Sequence, residues 1–381
     1  MHSSSQSIYL DNAATTATDP RVGELVLRLM TLEYGNAGSR THEFGLDASR
    51  HVSRARDQIA ACVAAASDEI VFTSGATESD NIAILGLADH GEATGCRHIV
   101  STAVEHKAVL EPLARLEARG FTITRIAPNR AGEVSADAVL AAVRQDTLAV
   151  SVMHANNETG AIQPIGAIAA GLAQDGPYLH VDAAQTFGRR TSELRDARID
   201  LVSLSGHKVF GPKGVGALVA RRRGMRRPPL TPLMVGGGQE FGIRPGTQPV
   251  PLIAGFGLAA EIAIAEEPAR TARCAAVRSE ALTALAPLAP TVHGGSDPLA
   301  NILSFAIPGV DSEAVMVALK GLVALSNGSA CTSARYEPSH VMLAMGLDPD
   351  EVAGTVRLSW CHDTGPIPWT EIVARMDDLR I

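Results

Sequence analysis

Ser205-Gly206-His207-Lys208 places a lysine directly after the short apolar, β-rich run Ile199–Leu204. The Gly and Pro residues of Val209–Gly216 then rule out a long regular element. Lys208 therefore belongs to a loop at the C-terminal end of a strand, where open α/β sheets bind ligands. A partly desolvated amine gives up its proton readily, which makes such a lysine a candidate for Schiff-base chemistry; most lysines, however, are simply solvated. A second strand-like run, Tyr178–Val181, leads into Asp182 and Gln185. Asp182, Gln185, Ser205, His207 and Lys208 thus supply a carboxylate, an amide, a hydroxyl, an imidazole and an amine from the ends of two successive strands. Pyridoxal phosphate asks for such a set: a lysine for its aldehyde, a carboxylate for its pyridinium nitrogen, a donor for its ring oxygen and several for its phosphate.

The elements that must position these groups alternate along the chain. Glu69–Asn81 is a strand, a glycine turn and a helix start. The amides of Gly75, Ala76 and Thr77 at that helix N-terminus favour a phosphate, and Thr77 is equally a capping residue. Strands over 98–103, 121–126 and 147–153 alternate with helices over 105–119, 137–144 and 165–173, a pattern that predicts a doubly wound, mostly parallel sheet. His106 begins a helix just past one strand, and Asn157 follows another. A long helix over 252–266 is expected to lead into a second, α+β unit.

These motifs, with Tyr9–Thr16, Gly35–His42, Gly236–Thr247 and Gly328-Ser-Ala-Cys-Thr-Ser333, resemble the aminotransferase-class-V branch of pyridoxal-phosphate enzymes. Within it they resemble the group I (NifS/IscS-like) cysteine desulfurases. The resemblance runs from Tyr9 to near the end of the chain. It implies a type I pyridoxal-phosphate fold, with a large domain over 15–262 built on a seven-stranded sheet. Residues 1–14 and 263–381 would form a smaller domain carrying the Cys331 loop. It further implies that Lys208 holds the cofactor, that His106 stacks on it and moves protons, and that Ala76, Thr77, Asn157, Asp182, Gln185, Ser205 and His207 bind it. Asn36, Asn157 and Arg357 would contact the substrate, L-cysteine, although Asn36 is as readily a turn asparagine. Cys331 would take the sulfur as a persulfide and pass it to an acceptor protein. Iron–sulfur assembly, DNA phosphorothioation (the DndA-like branch) and tRNA thiolation are the pathways implied. Thr247 would reach the phosphate of a second subunit, making a homodimer with shared sites. The chain departs from the family pattern at Ala37, at Pro245 and at Trp360-Cys361-His362. It stops soon after a last helix where scaffold-docking relatives carry a further tail, so a more dedicated acceptor is expected.

Composition narrows the alternatives. A net charge of −8 gives no basic field for direct nucleic-acid binding. No apolar run reaches membrane-spanning length, and the first residues lack a signal-peptide pattern, so a cytoplasmic protein is expected. The five cysteines include no CxxC pair, which argues against a zinc site or a disulfide framework. Cys331 sits among small and polar residues, unlike a core cysteine. The basic run Arg221–Arg227 reads as a solvated loop, with a partner-binding patch as the alternative. Another class-V activity, aminotransferase or selenocysteine lyase, and a sulfur-relay subunit that mainly docks partners also remain compatible with the sequence.

Overall fold

The computed structural model describes residues 7–327 and 338–380; Cys331 lies outside the described residues. A two-stranded parallel ladder joins β1 (Ile8–Tyr9) to β11 (Val323–Ala324). The large sheet comprises β2 (Ile70–Thr73), β3 (His98–Thr102), β4 (Thr122–Ile126), β5 (Thr147–Met153), β6 (Tyr178–Asp182), β7 (Leu201–Ser205) and β8 (Gly216–Ala220). Its seven strands run in the order β2-β8-β7-β6-β5-β3-β4. Only β8 is reversed, pairing antiparallel with both β2 and β7, so the sheet is the mostly parallel one expected. The helices α1 (Pro20–Thr31), α2 (Glu43–Val63), α3 (Ala76–Leu85), α4 (Ala88–Thr94), α5 (Lys107–Glu117), α6 (Ala136–Ala141) and α7 (Ile165–Gly171) accompany this part of the chain.

Burial on both faces explains the unbroken apolar runs of the strands. On one face Leu179, Val181, Val202 and Leu204 pack with Val52, Ile59 and Phe256. On the other, Val71, Leu201 and Leu218 pack with Ile82 of α3 and Leu113 of α5. A third core gathers around the antiparallel sheet of β9 (Thr291–His293), β10 (Ile302–Ala306) and β12 (Thr355–Ser359). The remaining helices are α8 (Val250–Leu285), α9 (Ser312–Ala318), α10 (His340–Ala344), α11 (Pro349–Ala353) and α12 (Trp369–Asp377). No helix of the described residues is long and apolar enough to cross a membrane.

The expected linker helix over 252–266 is in fact part of one 36-residue helix, α8, that continues through Pro268. Ile253, Phe256, Ala260 and Ala263 bury against the large core, and Cys274, Val277, Ala281 and Leu285 against the small one. The helical spacing of apolar residues persists across the proline, so packing on both sides outweighs the lost backbone hydrogen bond.

The basic run also differs from expectation. Arg221 is buried and donates to the carbonyls of Val63 and Leu194 at 2.8 and 2.6 Å. Arg223 grips Asp200 at 2.6 and 2.8 Å and lies over the Tyr178 ring, while Arg222 and Arg227 both pair with Asp68. These four side chains cross-link distant segments, while Gly224, Met225 and Arg226 at the tip of the run stay exposed. Nearby, the loop that carries Thr247 is anchored by the buried Glu240. It pairs with Arg56 at 2.8 Å and accepts from the Phe72 amide at 2.8 Å. Breaking a buried pair on one side costs about 3–5 kcal/mol. Arg56→Ala is therefore expected to lower stability by about that amount, read as a lower denaturant midpoint at unchanged slope; an unaltered midpoint contradicts it.

Candidate active site

The C-terminal ends of β2, β3, β5, β6 and β7 open onto one cavity of about 660 Å³. Its lining brings together Lys208, Asp182, Gln185, Ser205, His207, His106, Asn157, Ala76, Thr77 and Arg357, all singled out from sequence. Lys208 ends the short turn Gly206–Lys208 after β7. The N-terminal segment staples this turn: Thr16 donates to the His207 carbonyl through both its amide and its hydroxyl, at 3.1 and 2.9 Å. The Lys208 Nζ donates to the Ala13 carbonyl, and Gln185 Nε2 donates to the same oxygen at 3.0 Å.

The cavity's electrostatics follow from enclosure. Burial, with help from the Arg357 and Arg189 guanidiniums, brings Lys208 down to about 7. Burial raises Asp182 to about 6, and the nearby Asp80 carboxyl adds to the rise. His106 is open to the cavity but sits within it, and this enclosure pushes its pKa down against the pull of Asp182. Its Nδ1 accepts from the Ala108 amide at 3.1 Å, capping α5. A backbone amide only donates, so the neutral ring carries its proton on Nε2.

Behind Asp182 lies a polar row that alternates with the apolar face of the same strands. Ser151 Oγ and His180 Nδ1 are 2.8 Å apart, and His180 Nε2 lies 3.0 Å from Ser203 Oγ and 3.5 Å from Asp80. Asp80, on the inner side of α3, is fully enclosed and raised to about 7 by burial. Sequence reasoning missed Asp80, together with Asp11, Glu158 and His340, all of which line the cavity. Asp80 was discoverable: it stands four residues past Ala76, one helical turn inside the predicted helix start.

Several features fit the group expected here. Gly75, at φ 155° and ψ 178°, adopts a conformation open to glycine alone, and no side chain caps the α3 N-terminus behind it. A Cβ on Gly216 would come within 2.6 Å of Gly75 Cα, so β8 presses the turn into place. The first amides of α3 are thus left for an anion. The Gln185 Oε1 is buried without a hydrogen-bond partner among the described residues. An enclosed lysine, an enclosed carboxylate and an uncapped helix terminus in one cavity suit an aldehyde-bearing, phosphorylated pyridine.

Asn36 and Thr247 lie outside this lining. Asn36 is exposed and accepts from the Gly38 amide at 2.8 Å, a turn contact. Thr247, expected at the phosphate of a second subunit rather than in its own cavity, is exposed.

Known proteins match this arrangement over nearly the whole chain. Cysteine desulfurase IscS of Serratia proteamaculans is 44% identical over 356 residues, which span 92% of this chain and 87% of that protein. The crystal structure of DndA from Streptomyces lividans is 51% identical at a TM-score of 0.82, covering 93% of this chain and 99% of the other. The structure of SspA in complex with cysteine is 34% identical at a TM-score of 0.82, covering 93% and 98%. Residues 8–365 match the description "Aminotransferase class-V". With its strand ends and enclosed lysine arranged in this way, the chain belongs to the aminotransferase class-V family.

Proposed function

We propose that the chain converts L-cysteine to L-alanine and moves the sulfur onto Cys331, from which an acceptor protein takes it. The observation that carries this reading is one cavity in which an enclosed Lys208 faces both a buried carboxylate, Asp182, and a guanidinium, Arg357. Relatives named cysteine desulfurase and a neighbour solved with cysteine support it. Asp182 would hold the pyridinium nitrogen, the amides of Ala76 and Thr77 with Ser205 and His207 the phosphate, and Gln185 and Asn157 the ring oxygen. Pyridoxal phosphate, when bound, supplies an electron sink for the charge left at the substrate Cα.

The chain's own residues do the rest. The neutral Lys208 amine takes the Cα proton. Its lowered pKa keeps much of it unprotonated near neutrality, where an ordinary lysine is charged. His106, which lines the cavity and carries the neutral ring's proton on Nε2, would return a proton. The Cys331 thiolate forms a bond to the substrate sulfur as the substrate C–S bond breaks. The carbon side keeps the bonding electrons and is protonated to alanine. Incubating the enzyme with L-cysteine should yield alanine and a gain of one sulfur atom on the Cys331 peptide. Alanine without that gain would point to another class-V activity.

Arg357 donates to the Asn157 carbonyl at 2.9 Å and to Asp11 at 2.6 Å, while among the described residues its buried Nε has no partner. A substrate carboxylate would therefore compete with Asp11 for the same fork. Asp11→Asn is expected to lower KM for cysteine by up to about tenfold, equivalent to about 1.4 kcal/mol, with kcat nearly unchanged. A raised KM would show that Asp11 assists binding instead. Capture of the cofactor aldehyde needs the neutral amine of Lys208. Reconstitution of the cofactor-free chain should therefore speed up with pH until about 7 and level off above it, as followed by absorbance. A plateau only near 10 would show that Lys208 is not perturbed.

The α8 crossing and the separate cores support a large unit over 15–262 and a small one from 1–14 and 263–381 that share a helix rather than a linker. Exposed Leu27, Met30, Leu32, Tyr34 and Phe44 support a dimer in which Thr247 completes the partner's site. Light scattering should give twice the chain mass. The identity with DndA supports a dedicated acceptor in the DNA-phosphorothioation branch.

A further inference from the structure

The family departure Trp360-Cys361-His362 lines a second, small cavity of about 40 Å³, between α8, the turn after Lys208 and the end of β12. That is room for roughly three water-sized spheres. Arg189 enters it from the loop after β6, and Asn301 from just before β10. The Nη2 of the half-buried Arg189 and the Nδ2 of Asn301 are themselves enclosed, and among the described residues neither has a hydrogen-bond partner. Asn301 as a whole is only 3% exposed. The other terminal nitrogen of Arg189 reaches the Gln185 carbonyl at 3.3 Å. Among the described residues no carboxylate is paired with this guanidinium; its ionisable neighbours are Cys274, Cys361 and Arg270, with His207 and Lys208 on the side of the larger cavity. Arg270 is already paired with Glu266 at 2.7 Å.

A buried lysine escapes such a setting by losing its proton, but a guanidinium does not. An uncompensated buried cation is strongly unfavourable, so a counter-charge is called for. The rest of the lining can supply further donors but no anion: the two thiols are weak donors, and His362 packs edge-on against Phe210 at 4.9 Å.

We propose that this cavity binds one compact monovalent anion, a halide or hydrosulfide, held by Arg189 Nη2 and Asn301 Nδ2. The anion offsets the charge of Arg189 and ties the loop after β6 to the chain just before β10. The site is independent of the desulfurase reading, since its occupant takes no part in the reaction.

Crystals of the holoenzyme soaked in sodium bromide should show an anomalous peak between Arg189 and Asn301. A parallel soak in sodium hydrosulfide distinguishes the occupants: displacement of bromide assigns hydrosulfide, and retention assigns a halide. In solution, replacing gluconate by chloride at constant ionic strength should raise the melting temperature of the holoenzyme by about 2 °C or more. Arg189→Met should abolish that rise, and Asn301→Ala, which keeps the guanidinium, should reduce it. Water alone in the cavity after the bromide soak overturns the proposal. So does a bromide peak without a chloride-dependent rise, or an equal rise in Asn301→Ala.

Discussion

Lys208→Ala is expected to lower alanine formation by about 10³-fold or more, because a positioned general base alone contributes 10²–10⁴-fold. The loss should have a chemical signature. Borohydride, which fixes the cofactor to the wild-type chain, should fix none to the variant. The pocket should remain, since the Lys208 turn is held by Thr16 and by the Phe210 amide's bond to Thr16 Oγ1 at 3.0 Å. Small primary amines should restore part of the rate by standing in for the missing side chain. A variant that turns over within tenfold of wild type would move the proton-transfer role to another group, with His106 the first to test.

Cys331→Ala should fall by a similar factor, about 10³-fold or more, but by a different route. The variant should stay yellow, be fixed by borohydride at Lys208 and bind cysteine with near-normal affinity, yet release little alanine and carry no added sulfur. The two buried thiols, Cys62 and Cys274, are poor substitutes. Burial pushes Cys62 up to about 12 and Cys274 up to about 11, which starves both of the thiolate form. Normal turnover in this variant would instead single out Cys361.

Much of the site is legible in the sequence for a simple reason. Parallel strands deliver their last residues to one edge of the sheet, so polar residues that end apolar runs already mark the cavity. Asp182, Gln185, Ser205, His207 and Lys208 all do so. Asp80 escapes notice because a carboxylate on the inner side of a helix looks like any polar helical position until the sheet behind it is known. Asp11 escapes because its partner, Arg357, stands at the other end of the chain. The arginines at 221–227 mislead for the same reason: a run of charge usually means solvent, and Asp68, Asp200 and the Val63 carbonyl are remote in sequence. Pro268 suggests a break, yet α8 continues because the cores on either side reward its continuation.

The unbroken α8 makes helical phase a coordinate of the site. Every residue beyond Ala263 is set in angle by those before it, and the sheet that holds Arg357 packs on the distal half of the same rod. Inserting one residue after Glu266 would turn that half by about 100° and advance it about 1.5 Å, swinging the guanidinium's platform away from Lys208. Inserting four would nearly restore the angle while lengthening the rod by about 6 Å. The first insertion should abolish cysteine turnover with the cofactor still bound, and the second should recover part of it, because the large core is indifferent to the pitch of a rod that the small one must read correctly.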